Sequence, residues 1–362
     1  MRRIANGVLG PALGQLLCAA LAGSLLPGAA RADSVTVYGI VDAALEVARF
    51  DRDVHPVRIQ SGDLQASRLG LRGREDLGGG LGAEFDLEMG PSLDTGAGGA
   101  VLWNRGAMVG LTSAYGRVDA GKQYMPLFWI AIRSEAGTYG FSNMSALLNT
   151  EHAAATGHTG VGGYYDNVLR YRSGDFHGFD AELAYSTGNE LPGPARHDAV
   201  ASGCNLHYTD GPWWLGAGYN NYTAHDAGSG ADQVQRSSLV GGKYSASAFA
   251  IGASYLRTSN MQGGPNAGDA RAAQLTGRLP MGLWDLNAGL ARLREDAGRR
   301  SWSAHVGIVY FLSRRTQLYG YVSEVRNNAA GTAGLANLSS DYRVVTPGFS
   351  PSALALGIRQ SF

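Results

Sequence analysis

The sequence predicts a closed antiparallel β-barrel of sixteen strands that spans a membrane. Three observations lead to this fold class. Segments of roughly ten residues alternate apolar and polar side chains with a period of two, which is typical of strands with one apolar face. Tight turns and long polar connections follow one another between these segments, as in membrane barrels. Beyond the N-terminal region, no apolar run is long enough to form a membrane-spanning helix.

The N-terminal 32 residues have the pattern of a secretory signal peptide. A basic start, Met1–Arg3, precedes an apolar stretch, and the segment 30–32 fits the small-x-small cleavage rule. The predicted domains are therefore a signal peptide at 1–32 and one barrel domain at 33–362. Cleavage would leave 27 basic and 30 acidic residues, a net charge of −3, which argues against an electrostatic nucleic-acid binder. Cys204 alone would remain, so the exported chain has no internal disulfide.

The stretch 67–90 shows the alternation in two adjacent strands, joined by a glycine turn at 78–80. One face is apolar and consists of Leu69, Leu71, Ala83, Phe85, Leu87 and Met89. The other face is charged and consists of Arg68, Arg72, Arg74, Glu84, Asp86 and Glu88. Alternation alone does not decide between the apolar core of a soluble sandwich and a lipid-facing wall around a wet lumen.

The whole chain decides in favour of the membrane barrel. The predicted strands are 34–48, 66–77, 81–89, 103–113, 116–124, 164–173, 178–187, 201–209, 213–222, 236–246, 248–258, 271–280, 283–293, 301–312, 316–325 and 351–362. Sixteen is an even number, as closure of an antiparallel barrel requires. A soluble sandwich has no use for sixteen strands without a domain break, for 53 glycines, or for only 17% charged residues.

The connections predict which side of the membrane each end faces. Tight turns are periplasmic in such barrels and long loops are external, so both termini fall on the periplasmic side. The predicted long loops include 49–65, 188–200, 223–235, 259–270 and 326–350. Aromatic residues near predicted strand ends fit girdles at the two membrane interfaces. These residues are Trp103, Tyr124, Trp213, Trp214, Trp284 and Trp302.

Several motifs resemble one known family. They are "SVTVYGIVDAALEV", "SRLGLRGREDLGGGLGAEFDLE", "WNRGAMVGLTSAYGRVDAGKQY", "YDNVLRYRS" and the terminal "GIRQSF". Together they resemble the Gram-negative trimeric porins, most closely the general-diffusion porins of the betaproteobacterial type. The resemblance implies an outer-membrane homotrimer, surrounded by lipid, whose water-filled channels pass ions and small hydrophilic solutes. It also implies that the third long loop folds inward. The chain ends on Phe362, as expected of a strand that the outer-membrane insertion machinery reads.

Arginines are the candidate residues of the channel constriction. By alternation, Arg68, Arg72 and Arg74 share the lumen face of one strand. Arg170 and Arg172 face the lumen if Leu169 and Tyr171 face lipid, and Arg105 does so if Gly106 and Met108 face lipid. The resemblance places Arg68, Arg105 and Arg172 in the arginine cluster opposite the inward loop. The full candidate set is Arg68, Arg72, Arg74, Arg105, Arg170 and Arg172.

The inward loop is predicted at Met125–Gly163, the longest stretch without strand signals. Many relatives carry an acidic residue soon after the Pro-Leu-aromatic opening of this loop, but this chain has Trp129 near that place. Glu135 and Glu151 are the candidate loop acids. Arginines that face few loop acids predict a weak preference for anions.

No motif predicts catalysis, a cofactor or a metal. The segment 116–123 nearly fits a phosphate-binding loop, but Gln123 stands where Ser or Thr should hold magnesium, and the context is a strand. The eight histidines form no closely spaced ligand pair. An adhesin or receptor role of the long loops is compatible with transport, and two alternatives to a general-diffusion channel also stay open. One is a solute-specific channel of the same fold, and the less favoured one is an outer-membrane barrel enzyme.

Overall fold

The structure is a computed structural model that describes residues 31–32, 35–99, 101–137, 161–190, 193, 195, 198–226, 231–261, 268–296, 298–335 and 345–362. In this part of the chain, sixteen antiparallel strands form a closed wall. They are β1 (Thr36–Arg49), β2 (Arg68–Gly78), β3 (Leu81–Met89), β4 (Gly106–Ser113), β5 (Gly116–Tyr124), β6 (Tyr164–Arg172), β7 (Phe179–Ser186), β8 (Ala201–Asp210), β9 (Trp213–Asp226), β10 (Ala231–Ser245), β11 (Ala250–Met261), β12 (Gly268–Met281), β13 (Trp284–Glu295), β14 (Arg300–Phe311), β15 (Thr316–Asn327) and β16 (Ser352–Ser361). One helix of the described chain, α1 (Pro126–Arg133), lies inside the ring.

The ring closes between the first and last strands. Ser361 of β16 stands opposite Ile40 of β1, and the backbones of Gly39 and Phe362 exchange hydrogen bonds of 3.1 and 3.2 Å. Closure satisfies the backbone groups that an open edge would leave unpaired in lipid. Of the predicted signal peptide, only Arg31–Ala32 lies within the described residues, and it pairs with Glu75 and Asp76 at the end of β2.

The outward face of the wall is apolar around the ring. Large side chains are exposed there on strand after strand, for example Val109 at 61% and Leu356 at 58%. A continuous apolar exterior of this kind suits lipid contact and would be a liability in water. The hairpin 67–90 follows this division, because Leu69 is exposed outside while Arg72 pairs with Asp86 on the inner face. Within the described chain, no helix is long and apolar enough to cross a membrane.

In their described residues, two predicted external loops prove to be strand. The predicted loops at 223–235 and 259–270 contain continued pairing, with Asp226 opposite Ala231 in one hairpin and Met261 opposite Gly268 in the other. These strand ends are polar on both faces, so the hydrophobic period of two disappears although the backbone ladder continues. The strands predicted there were therefore too short.

The first external connection also departs from the prediction of a loop at 49–65. Val57–Ser61 pairs with Ala43–Val47 of β1, while β2 pairs with the N-terminal part of β1, Thr36–Ile40. Residues 62–66 leave the wall between these two pairings and turn into the barrel. Leu64 is fully buried there, in a cluster with Ala44, Val309, Tyr319, Tyr321 and Ala355.

The aromatic girdle prediction was partly wrong. Trp213, Trp284 and Trp302 are exposed on the outer wall as expected. Trp214 instead is buried inside the barrel, 5.4 Å from the ring of His207, since neighbouring residues of a strand point to opposite faces. Tyr124 also points inward, where its ring stacks on Phe128 at a centroid distance of 3.4 Å.

A hydrogen-bonded pair fastens the first external loop to the last one. The backbone amide and the Oγ1 hydroxyl of Thr346 both donate to Asp51 Oδ2 at 2.9 Å. Slight burial alone would raise the pKa of Asp51, but the hydrogen bonds from Thr346 and from the Arg52 amide outweigh it and lower the pKa. A lowered carboxyl pKa means that the contact stabilises the protein above the unfolded-state pKa and weakens only as pH falls through the folded-state value.

Replacing Thr346 with valine is therefore expected to raise the pKa of Asp51 towards its usual value, because one of the two donated hydrogen bonds is lost. NMR titration of the Asp51 carboxyl in detergent micelles measures this pKa in both proteins. Identical midpoints would show that the Thr346 hydroxyl does not stabilise the Asp51 carboxylate.

Candidate functional site: a charged constriction inside the barrel

The third external connection begins with α1, which packs on the inner wall. Pro126 starts the helix, where its missing N–H costs no hydrogen bond. The side-chain amide nitrogen Nδ2 of Asn205, on β8, donates to the backbone carbonyl of Pro126 at 2.7 Å. Leu127 and Ile130 are fully buried against β9, where Gly218 and Gly216 leave space for them. Helix α1 is therefore held against the wall rather than projecting freely into the lumen.

The chain after α1 continues along the inner wall to β13. The amide of Ala136 donates to Thr276 Oγ1 of β12 at 2.9 Å. The turn at Ser134 lies over Gly241 and Gly252, two glycines on neighbouring strands. Glu135 is buried, and Gln274 Nε2 approaches its Oε1 at 3.5 Å. The predicted inward loop Met125–Gly163 thus starts inside the barrel, whereas Glu151 and the rest of 138–160 lie outside the described residues.

Charged side chains cover the opposite part of the wall. In a ring of sixteen strands, β2–β5 stand across from β10–β13, where the segment after α1 lies. Carboxylates of β3 form three ion pairs on the charged side: Arg72–Asp86 at 2.6 Å, Arg105–Glu88 at 2.8 Å and Arg117–Glu84 at 2.6 Å. The carboxylates of β3 therefore neutralise part of the arginine charge.

A buried carboxylate connects three further arginine contacts. Asp119 of β5 has no exposed side-chain surface, and its oxygens lie 2.8 Å from Arg117 Nε, 3.3 Å from Arg170 Nη2 and 3.6 Å from Arg172 Nη2. A buried charge needs such partners, since an unpaired one is costly. Arg117 also pairs with Glu84, and Arg172 Nε lies 4.0 Å from Glu182 Oε1, so three carboxylates share the charge of these three guanidinium groups. Arg170 itself is only 2% exposed and lies behind its neighbours.

The structure corrects the reason given for Arg105. Gly106 and Met108 were expected to face lipid. Instead, Met108 Sδ lies 3.7 Å from Arg117 Nη2 inside the barrel, and the side chain of Val109 faces outward. Arg105 precedes the first residue of β4, so strand alternation does not apply to it. Its side chain reaches the lumen by binding Glu88 and standing over the ring of Tyr164, at 5.6 Å from the centroid.

The two remaining candidate arginines differ in position. Arg68 lies at the start of β2 and lines the central cavity beside Gln65 and Ala66 of the first external connection. In the described part of the chain it forms no ion pair. Arg74 shares the face of Arg68 but lies close to the periplasmic turn, and it is not among the residues described around the cavity.

These surfaces enclose a cavity of about 720 Å³ that is open to the lumen. Its described lining carries seven basic side chains and four carboxylates, and the carboxylates of Asp119, Glu182 and Asp166 contact four of these basic groups from outside the lining. The basic residues are Arg68, Arg72, Arg105, Arg117, Lys122, Arg170 and Arg172, and the acidic residues are Glu84, Asp86, Glu88 and Glu135. A positive lining on a low-dielectric wall concentrates anions.

Sequence reasoning missed three parts of this site. Arg117 and Asp119 were overlooked, although each alternates with an outward residue of β5 and could have been found by the same rule as Arg170. Nothing in the sequence indicated the inward turn at 62–66, because a polar external loop and a polar inward turn have the same amino-acid composition. In the described residues, no three potential metal ligands come together.

Comparison with known proteins agrees with this architecture. A family model described as Gram-negative porin matches residues 18–330. An outer membrane porin of Bordetella pertussis is 27% identical over 374 residues, covering 87% of this chain and 94% of that protein. Outer membrane porin protein 32 of Delftia acidovorans is 28% identical over 379 residues, covering 95% and 98%.

A solved structure extends the comparison to three dimensions. The anion-selective porin from Comamonas acidovorans superposes with a TM-score of 0.80 at 25% sequence identity, covering 91% of this chain and all of that one. The family model, the relatives along nearly the whole chain and the sixteen-stranded ring agree with one another. The chain therefore belongs to the Gram-negative porin family and is a channel-forming protein of the outer membrane.

Proposed function

We propose that this porin is a general-diffusion channel with a preference for anions, and that its constriction is the charged cavity described above. The observation that carries the proposal is the excess of basic side chains in the cavity lining. Passive diffusion needs a wet passage with a fixed field, and the sign of that field selects the ions. The similarity to an anion-selective porin supports the same sign of selectivity.

The residues of the proposed constriction have different roles. Arg68, Arg105 and Arg172 provide the cationic surface, and Arg72 and Arg170 support it through Asp86 and Asp119. Arg74 contributes to the field at the periplasmic mouth. Glu135 and, by its place in the sequence, Glu151 provide acidic groups on the loop side. The segment 138–160 contains no other acid, so the loop adds little negative charge.

The test is single-channel conductance of the refolded protein in a planar bilayer, with the reversal potential measured under a potassium chloride gradient. We expect large ohmic steps and a reversal potential displaced towards the chloride equilibrium potential. A displacement towards the potassium potential would contradict the anion preference. Folded protein without any conductance would contradict the channel itself and favour the enzyme alternative.

We infer in addition that the channel assembles as a homotrimer. The support is the fold shared with OmpT of Vibrio cholerae, which is described in a trimer form. Closure of the single-channel current in three equal steps, together with a trimer mass by light scattering, is the expected result. A monomer mass with single-step closure would contradict it.

Two further assignments concern the ends of the chain. We propose that residues 1–32 are removed during export, which N-terminal sequencing of the outer-membrane protein tests directly. We also propose that the outer-membrane insertion machinery recognises the strand that ends at Phe362, whose ring is half-exposed on the outer wall. Replacing Phe362 with serine should reduce assembly into the outer membrane, while refolding into detergent, which uses no machinery, should be less affected.

A further inference from the structure

The lumen face of α1 is apolar, which is unusual for a surface in a water-filled channel. Leu127 and Ile130 bury the other face of the helix against the wall. Phe128, Trp129 and Ile132 are partly exposed and line the cavity. Their spacing of one, three and four residues places them on one side of a helix. The helix contains no acidic residue, so a passing solute meets apolar surface here.

An aromatic run continues from this face to a guanidinium group. Trp129 meets Phe128 edge to face at a centroid distance of 5.3 Å, and Phe128 stacks on Tyr124. Tyr124 in turn lies 3.9 Å from the ring of Tyr164, and Arg105 stands over Tyr164. The run therefore begins at the partly exposed indole of Trp129 and ends at a cationic group that lines the same cavity.

From this juxtaposition we propose that the constriction selects anions with an aromatic body, namely aromatic monocarboxylates, over hydroxylated carboxylates of the same size. The carboxylate binds the basic wall at Arg68 and Arg105, and the ring lies against Trp129 and Ile132. Aromatic and apolar contacts supply the affinity that a hydroxylated solute cannot obtain there. The cavity of about 720 Å³ is large enough for such a solute to pass. This inference rests on the anion preference proposed above and names its substrate class.

The experiment compares benzoate with threonate, two monocarboxylates that have the same number of non-hydrogen atoms and are ionised at neutral pH. Each is titrated into a bilayer that carries a steady chloride current through the wild-type channel, and the half-blocking concentration is measured. We expect that of benzoate to be about fivefold lower than that of threonate, the effect of one good aromatic contact. Equal half-blocking concentrations in an anion-selective channel would overturn this inference and leave the proposed function standing.

Two variants at one position assign the effect to α1. Trp129→Gln should remove the difference between benzoate and threonate, whereas the conservative Trp129→Phe should keep most of it. Neither substitution changes a charge, so both variants should retain the wild-type reversal potential in potassium chloride. Benzoate block that is unchanged in Trp129→Gln would place the binding elsewhere and overturn the proposal.

Ile132→Gln provides a second route on the same lumen face if Trp129→Gln does not fold. It should weaken benzoate block and leave threonate block unchanged. A wild-type channel that prefers potassium would instead refute the anion preference itself, and the reversal potential separates that failure from failure of the aromatic selectivity.

Discussion

Replacing Arg68 with glutamate is expected to lower the chloride-to-potassium permeability ratio roughly tenfold, taking a distance of about 7 Å from the side chain to the ion path. At that distance a unit charge in water contributes about 0.6 kcal/mol, and screening at 0.1 M ionic strength, with a Debye length of about 10 Å, reduces this to about 0.3 kcal/mol. Reversal of the charge therefore changes the energy of each ion by about 0.6 kcal/mol with opposite signs for the two ions, so the permeability ratio changes by about 1.2 kcal/mol. Arg68 is the suitable position because it lines the cavity and forms no ion pair in the described chain.

The matched control for this prediction is Arg74→Glu. It makes the same change of charge on the same face of the same strand, but about 20 Å further along β2. At an ionic strength of 0.1 M the Debye length is about 10 Å, so the field of Arg74 at the constriction is strongly screened. Reversal potentials should therefore change much less in Arg74→Glu. Equal changes in both variants would mean that selectivity is set by total charge rather than by the constriction.

Replacing Gly252 with valine is expected to lower single-channel conductance. A Cβ atom at Gly252 would overlap the backbone carbonyl oxygen of Ser134, so the turn after α1 must move from the wall or change its path. A shift of roughly an ångström moves the packed segment towards the lumen, and on an opening several ångströms wide it reduces the free area by roughly a third. The neighbouring Gly241 supports the same turn, 2.6 Å from Ser134 Cβ to the position of an added Cβ.

Gly277→Val is the control for the loop displacement. Gly277 stands opposite Ile251 on the adjacent β12, and an added Cβ there meets no atom within 4 Å. Both variants therefore place the same side chain in a strand, and only Gly252→Val contacts the inward segment. Conductance is compared at high salt, where surface charge contributes little. If Gly252→Val conducts as wild type, or more than wild type, the predicted narrowing is wrong.

The fold was largely readable from the sequence, because strand alternation is a local property. The pair 81–89 and 116–124 was predicted with the boundaries that the structure has, since glycine turns end those strands sharply. The lumen positions of Arg72, Arg170 and Arg172 followed from the same rule. Where strands leave the apolar belt, as beyond residue 222, both faces are polar and the rule gives no signal.

The site was only partly readable, because its residues meet across strands that are distant in the chain. The sequence identified most of the arginines but did not show that Asp119 joins three of them or that the β3 acids neutralise others. The sequence by itself determined the barrel, its lipid-facing side and the arginine-rich lumen. Only the tertiary structure decided that residues 62–66 and α1 pack inside, since the glycines and buried polar groups that hold these segments lie on other strands.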